Sequence, residues 1–225
     1  MGLFLERIYF NMDSIQIKGV LPSFTSGAEV SASEVWMQDI CFRKGENHLV
    51  LGNSGRGKSS LFSYVFGERS DYKGEILYDG QEIEMKDFTG WNAVRIRHIS
   101  CIFQGLRLFP ELTVWENITI KNRLTSWKKG NAVKDMLKKA GLADKKNEKA
   151  ARLSFGQQQR VAIIRALCQP FDFLLADEPF SHLDETNIQL MAELIAQELE
   201  QQKSGIILSS LGADYPFSFL NRWKL

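Results

Sequence analysis

The chain has 225 residues, 44% hydrophobic and 24% charged, with a net charge of +1. That length holds one large α/β domain, or a core with a small inserted subdomain, and the near-neutral balance gives no broad attraction to nucleic acid. No stretch approaches the ~18 apolar residues of a membrane span, and Cys41, Cys101 and Cys168 are too far apart for a metal motif, so they read as buried, reduced thiols of a cytosolic protein.

From the N-terminus, Met1 to Arg7 contains an early acid, Glu6, and no basic run, so it is not a signal peptide. Met12 opens a strand-like run from Ser14 to Val20, which makes residues 1–11 a candidate extension and Met12 an alternative start. Gly27 to Ser33 reads as a polar loop and Val35 to Phe42 as a second strand. Lys44-Gly45-Glu46 then turns the chain into a third, His48 to Leu51. The glycine-rich stretch Gly52-Asn53-Ser54-Gly55-Arg56-Gly57-Lys58-Ser59 follows, and Ser60 to Phe66 reads as a helix. Lys73 to Gly80 is a short strand closed by Asp79-Gly80, and Ile99 to Phe103 is a buried-type strand.

Residues 106–152 are helix-rich and more basic. Val133, Met136, Leu137 and Ala140 recur at helical spacing, with Gly141 as C-cap, and Lys145 to Lys149 is a charged surface turn. Phe171 to Ala176 reads as a buried strand, apolar but for Asp172. Asp184 to Lys203 is an amphipathic helix with Ile188, Met191, Leu194, Ile195 and Leu199 on one face, and Gly205 to Ser210 is a last strand. Strands alternating with helices imply a mostly parallel sheet covered on both faces.

Gly52 to Ser59 fits G-x-x-x-x-G-K-[ST] between a strand and a helix, the context a phosphate-binding loop requires. Its glycines let backbone N–H groups turn toward phosphate oxygens, and the following helix N-terminus adds partial positive charge. Lys58 would reach the β- and γ-phosphates, Ser59 would hold Mg²⁺, and Ser60 continues the site. The strand Phe173 to Ala176 delivers two acids, Asp177 and Glu178, to the sheet edge where ligands bind. Asp177 is placed to hold Mg²⁺ through water, and Glu178 to act as general base on the attacking water.

Leu153-Ser154-Phe155-Gly156-Gln157 resembles the L-S-G-G-Q signature of the ATP-binding cassette family. The likeness spans about residues 14–211. It implies a P-loop NTPase core with a mostly parallel sheet, an antiparallel β subdomain and an inserted helical subdomain. The core would run over about 12–105 and 160–225, and the helical subdomain over about 106–159, all within one ATP-binding domain. By the same resemblance, Ser154, Gly156 and Gln157 bind the γ-phosphate of ATP held by a second protomer. Gln104 resembles the glutamine that touches Mg²⁺ and the attacking water, and Ser181-His182-Leu183-Asp184 the D-loop that crosses a dimer interface. Phe24 is the candidate for stacking on adenine.

Gln104 to Ile118 is similar to the corresponding region in ATPases of lipoprotein release, macrolide export and the cell-division permease system. In that group it grips a membrane partner, so Leu108, Phe109, Leu112, Val114 and Trp115 are candidates to line a groove for a transmembrane permease. The resemblance thus implies an ATPase peripheral to the inner face of the membrane, working as a homodimer or heterodimer without nucleic acid. One departure bears on rate. The family has a histidine after the last core strand, where this chain has Ser210, and none of His48, His98 and His182 aligns there. Loss of one such donor costs on the order of 10²–10³ in rate, which predicts slow hydrolysis with nucleotide binding and dimerisation kept. Phe155 in place of the first signature glycine is the other departure. A regulatory module, or a soluble cassette protein of DNA repair or translation, is the alternative reading; the chain lacks the coiled-coil insertion or second cassette of the soluble kinds.

Overall fold

The computed structural model describes residues 11–25, 30, 32–213 and 215–225. The candidate extension up to residue 10 and most of the expected loop at 27–33 lie outside them. Five strands form a parallel sheet in the order β6-β7-β8-β3-β9. They are β3 (His48–Leu51), β6 (Ile99–Ile102), β7 (Phe173–Asp177), β8 (Gly205–Ser210) and β9 (Asn221–Lys224). Because successive side chains point to opposite faces, the strands divide two cores. Leu49, Leu174, Ala176, Ile206 and Leu208 pack on one side, and Val50, Phe173, Leu175 and Ile207 on the other. The sequence reading omits β9: its alternating, half-exposed Asn-Arg-Trp-Lys pattern is that of an edge strand and leaves no apolar run to detect.

An antiparallel sheet, β2-β1-β4-β5, stands beside the parallel one. It contains β1 (Ser14–Pro22), β2 (Asp39–Arg43), β4 (Tyr72–Tyr78) and β5 (Gln81–Glu82). Asp79 and Gly80, both at positive φ, close the β4–β5 hairpin as the Asp-Gly pair predicts. The strand expected from Val35 starts only at Asp39. Ser33 Oγ accepts from the Val35 and Trp36 N–H groups, and Met37 sits at φ 60°, so residues 33–38 turn rather than extend. Cys101 and Cys168 are buried as expected, but Cys41 is only half-buried, because the alternation of β2 turns Ile40 and Phe42 inward and Cys41 outward.

Six α-helices lie among the described residues: α1 (Lys58–Val65), α2 (Phe88–Arg97), α3 (Val114–Thr125), α4 (Gly130–Lys139), α5 (Phe155–Leu167) and α6 (Glu185–Gln202), with α3 and α4 packed on α5. None is long and apolar enough to cross a membrane. Thr113 and Glu116 form a capping box that starts α3. Buried Asn117 donates to the carbonyls of Phe109, Leu112 and Thr113 and accepts from the Phe109 N–H, which fixes the path of the chain into the helix. Ser154 and Gln157 form a second capping box at α5, which spans the expected subdomain boundary and runs with its body in the core.

Asp172 ties the two sheets together. Its carboxylate accepts from the Met12 N–H at 2.8 Å and pairs with Lys44 and His98. Burial alone would raise this carboxyl, but hydrogen bonds from His98, Lys44 and Met12 hold it below its ordinary value. The contribution is therefore present above the unfolded carboxyl value of about 3.9 and is lost as pH falls through the lower folded value. Asp172→Asn is expected to lower stability to urea by about 3 kcal/mol at neutral pH, with the difference from the parent shrinking below about pH 4.

Candidate functional site

The carboxyl ends of β3, β7 and β8 meet at one edge of the sheet, with β8 hydrogen-bonded between the other two. Gly52 to Ser59 leaves β3 there and enters α1. Gly55 and Gly57 have φ values of 82° and 93°. A Cβ on Gly57 would lie 3.0 Å from the Trp36 ring, so both backbone conformation and space demand glycine. The first turn of α1 has no side-chain cap and no acid, which leaves its N–H groups and positive dipole for an anion.

Lys58 is buried. Its ammonium donates to the carbonyls of Gly52 (2.6 Å) and Asn53 (3.0 Å) and pairs with Glu178 at 3.2 Å. Ser59 Oγ donates to Gln104 Oε1 at 3.3 Å, and Gln104 Nε2 donates to Glu178 Oε2 at 3.5 Å. Ser59, Gln104 and Asp177 share the wall of a cleft of about 210 Å³. The structure thus gathers Lys58 and Ser59 from the start of α1, Gln104 from just past β6, and Asp177 and Glu178 from the end of β7. Among the described residues no three His, Cys, Asp or Glu form a metal cage. A hydroxyl, an amide oxygen and a single carboxylate, completed by phosphate oxygens and water, fit a hard cation such as Mg²⁺.

Two residues absent from the sequence reading hold the acids in place. Ser209 Oγ donates to Asp177 Oδ1 at 2.7 Å and accepts from the Glu178 N–H at 3.0 Å. Gln159, buried on α5, donates to the Glu178 carbonyl at 3.3 Å and accepts from the His182 N–H at 3.1 Å. Between these braces Glu178 sits at φ 47°, a strained backbone for a non-glycine residue and one that surrounding structure must enforce. Ser209 is identifiable only through the β7–β8 register, which sets it opposite Asp177. Gln159 stands in the polar run Gln157-Gln158-Gln159-Arg160, and only its burial in the folded chain sets it apart.

The remaining expected residues stand apart from this cluster. Phe24 is 48% exposed, with the Arg69 guanidinium 5.8 Å from its ring centroid. Arg69 also donates to Ser60 Oγ at 3.1 Å, so Phe24 lies one side chain from the start of α1. Ser154, Gly156 and Gln157 form the opening turn of α5, and Asp184 caps α6 by accepting from the Asn187 N–H. Among the described residues no hydrogen bond or ion pair joins these four to Lys58, Ser59 or the Glu178 carboxylate. They lie beside one another instead: the rings of Phe155 and His182 meet edge-on at 4.3 Å, and a Cβ on Gly156 would lie 3.1 Å from the His182 carbonyl.

Ser210 is fully buried. Its hydroxyl donates to the Ala213 carbonyl at 2.9 Å and accepts from the Gly212 N–H at 3.1 Å, so it serves its own turn. Of the candidate groove residues, Val114 belongs to the core instead, because the first turn of α3 points it among Ile118 and Val133. Leu108, Leu112 and Trp115 are half-buried, and Phe109 is 50% exposed.

A strand–glycine loop–helix unit with a magnesium-type donor set at the edge of a parallel sheet defines a P-loop nucleotide-binding protein. The ABC transporter family profile matches residues 38–181. The chain is 36% identical over 189 residues to the ABC transporter ATP-binding protein YtrE of Bacillus subtilis (81% of this chain, 82% of the relative). It is 32% identical over 186 residues to the lipoprotein-releasing system ATP-binding protein LolD of Syntrophotalea carbinolica (81% and 82%). Its fold matches the dimeric structure of MJ0796, a bacterial ABC transporter cassette, with a TM-score of 0.73, 26% identity and 87% of each chain covered. The chain belongs to the ABC transporter family and is an ATP-binding subunit of that class.

Ser209→Ala is expected to lower phosphate release about 10-fold, as loss of one hydrogen bond to a buried carboxylate implies, with nucleotide affinity within about twofold of the parent.

Proposed function

We propose that this chain binds and hydrolyses ATP to drive a membrane permease, and that ATP acts by holding two cassettes together. The observation that carries the reading is the division of the functional residues between two regions. Lys58, Ser59, Gln104, Asp177 and Glu178 meet in one cluster. Ser154, Gly156, Gln157 and Asp184 form a second group that makes no hydrogen bond or ion pair to Lys58, Ser59 or the Glu178 carboxylate among the described residues. A head-to-tail pair of cassettes would bring the second group of one protomer onto the first group of the other and complete two sites.

Gly52 to Ser60 would cradle the triphosphate, with the ammonium of Lys58 on its distal phosphates and the ring of Phe24 against the adenine. Mg²⁺, when bound, would neutralise phosphate charge; Ser59, Gln104 and Asp177 would hold it. Glu178 would orient water and accept its proton, and its braced backbone keeps that carboxylate from wandering. Ser154, Gly156 and Gln157 from the partner would bind the γ-phosphate. The surface formed by about residues 106–118, with Phe109 exposed, would receive the permease on the inner face of the membrane. A relative named for a lipoprotein-releasing system supports a membrane machine.

Ser210 takes the position of a phosphate-contacting histidine, and its hydroxyl is engaged in the turn to Ala213. Intrinsic hydrolysis is therefore slow. The same observation favours one second reading, a regulatory cassette in which ATP-driven dimerisation is the output and turnover is incidental.

Lys58→Ala is expected to abolish binding of a fluorescent ATP analogue. Glu178→Gln is expected to elute as a dimer with saturating ATP and Mg²⁺ and as a monomer without; a strictly monomeric variant under both conditions overturns the shared-site reading. Ser210→His is expected to raise turnover by about 10²-fold, and an unchanged rate removes Ser210 as the cause of slowness.

A further inference from the structure

The segment after Gln104 contains two consecutive non-glycine residues in the left-handed region, Leu106 at φ 57° and Arg107 at φ 50°. Such backbones persist only where their surroundings enforce them. Here the enforcement comes from Arg165, in the last turn of α5 and 7% exposed. Its guanidinium donates to the Leu106 carbonyl at 2.6 Å and to the Arg107 carbonyl at 2.6 Å, one nitrogen to each strained residue. Among the described residues Arg165 has no carboxylate partner within ion-pair distance. Burial pulls it down to about 10, so it is still cationic at neutral pH, and its charge is met by these two carbonyls. The planar fork suits two adjacent acceptors in a way an ammonium does not.

The loop is also held from its solvent side. Arg107 pairs with Glu68 through both nitrogens, and its guanidinium lies 3.7 Å from the Phe103 ring centroid. Gln104, by contrast, holds itself poorly: its bonds to Ser59 and Glu178 are 3.3 and 3.5 Å, at the weak end of the range. Its place must come from the backbone that follows it.

We propose that Arg165 is a positioning residue for the metal site: by clamping the Leu106 and Arg107 carbonyls it keeps Gln104 beside Ser59, and it thereby makes the signature helix the support of its own protomer's Gln104 loop. The proposal rests on the reading of Gln104 as a metal-contacting residue. The 13 residues of α5 then make three connections along about 20 Å of one rigid element. Its first turn carries Ser154 and Gly156, Gln159 grips the Glu178 carbonyl, and Arg165 grips the Gln104 loop. A displacement of the signature turn by an opposing nucleotide would reach both the acid and the amide of the same chain.

The test uses the full chain with ATP and reads Mn²⁺ affinity by electron paramagnetic resonance, together with hydrogen exchange at the amides of residues 105–108. The variants are Arg165→Lys, Gln104→Ala and the double variant. Arg165→Lys is expected to speed exchange in the loop at least about 10-fold and to weaken Mn²⁺ binding about fivefold. In the Gln104→Ala background it should weaken Mn²⁺ binding no further. Wild-type exchange and Mn²⁺ affinity in folded Arg165→Lys overturn the proposal. So does an equal loss of affinity on both backgrounds, which would mark a merely structural role. Faster exchange with a Gln104→Ala variant that binds Mn²⁺ normally overturns the assignment of Gln104 while leaving the clamp itself in place. Should Arg165→Lys fail to fold, Arg107→Ala releases the same loop from its half-exposed side, and the same pattern of exchange and affinity decides the question.

Discussion

The buried pair between Lys58 and Glu178 is the interaction on which the site depends. An ammonium this deeply enclosed requires compensation, and it takes one carboxylate and two backbone carbonyls of its own loop. Those carbonyls belong to Gly52 and Asn53, so the lysine ties the end of the loop back to its beginning. A triphosphate entering the loop would offer the lysine stronger acceptors and release Glu178 toward water and the metal. The same charge that ties the loop together would therefore exchange partners on nucleotide binding.

Around that pair the fold supplies rigidity where the chemistry is strained. Glu178, Leu106 and Arg107 all occupy left-handed backbone that their side chains disfavour. Each is held by a side chain from elsewhere in the sequence: Ser209 and Gln159 at Glu178, and Arg165 at the loop after Gln104. Two of those three braces come from α5, whose capping box presents Ser154 at its other end. Asp172 makes an equivalent link at the opposite end of β7, where it ties the antiparallel sheet to the parallel one. The strand that delivers Asp177 and Glu178 is thus anchored at both ends.

The chain's own departures from its family acquire physical meaning in this setting. Phe155 takes the place of a glycine and lays its ring against His182, so the signature turn and the D-loop share a packing contact as well as a backbone approach at Gly156. Ser210 is occupied within its own turn, which leaves the end of β8 without a charged donor directed at the phosphates. The first departure adds a ring contact between two turns, and the second leaves a hydroxyl engaged locally.

The motifs were legible because they are short and local. Gly52 to Ser59, Asp177-Glu178 after an apolar strand, and Ser154 to Gln157 before a helix each carry their meaning in a few consecutive residues. Backbone conformation, capping and burial act over that range. The apolar periodicity of α4 and α6 was likewise readable, since one face of a helix repeats every three to four positions. The sequence by itself therefore determined the family and the residues that the fold gathers at the end of the parallel sheet. Only the tertiary structure decided how those residues are held. Ser209 is distinguished from Ser210 by the strand register alone, Gln159 and Arg165 matter through backbone groups distant in sequence, and Val114 is removed from the surface by the pose of its helix. Such contacts depend on long-range packing, and a linear pattern carries no distance between Arg165 and Leu106.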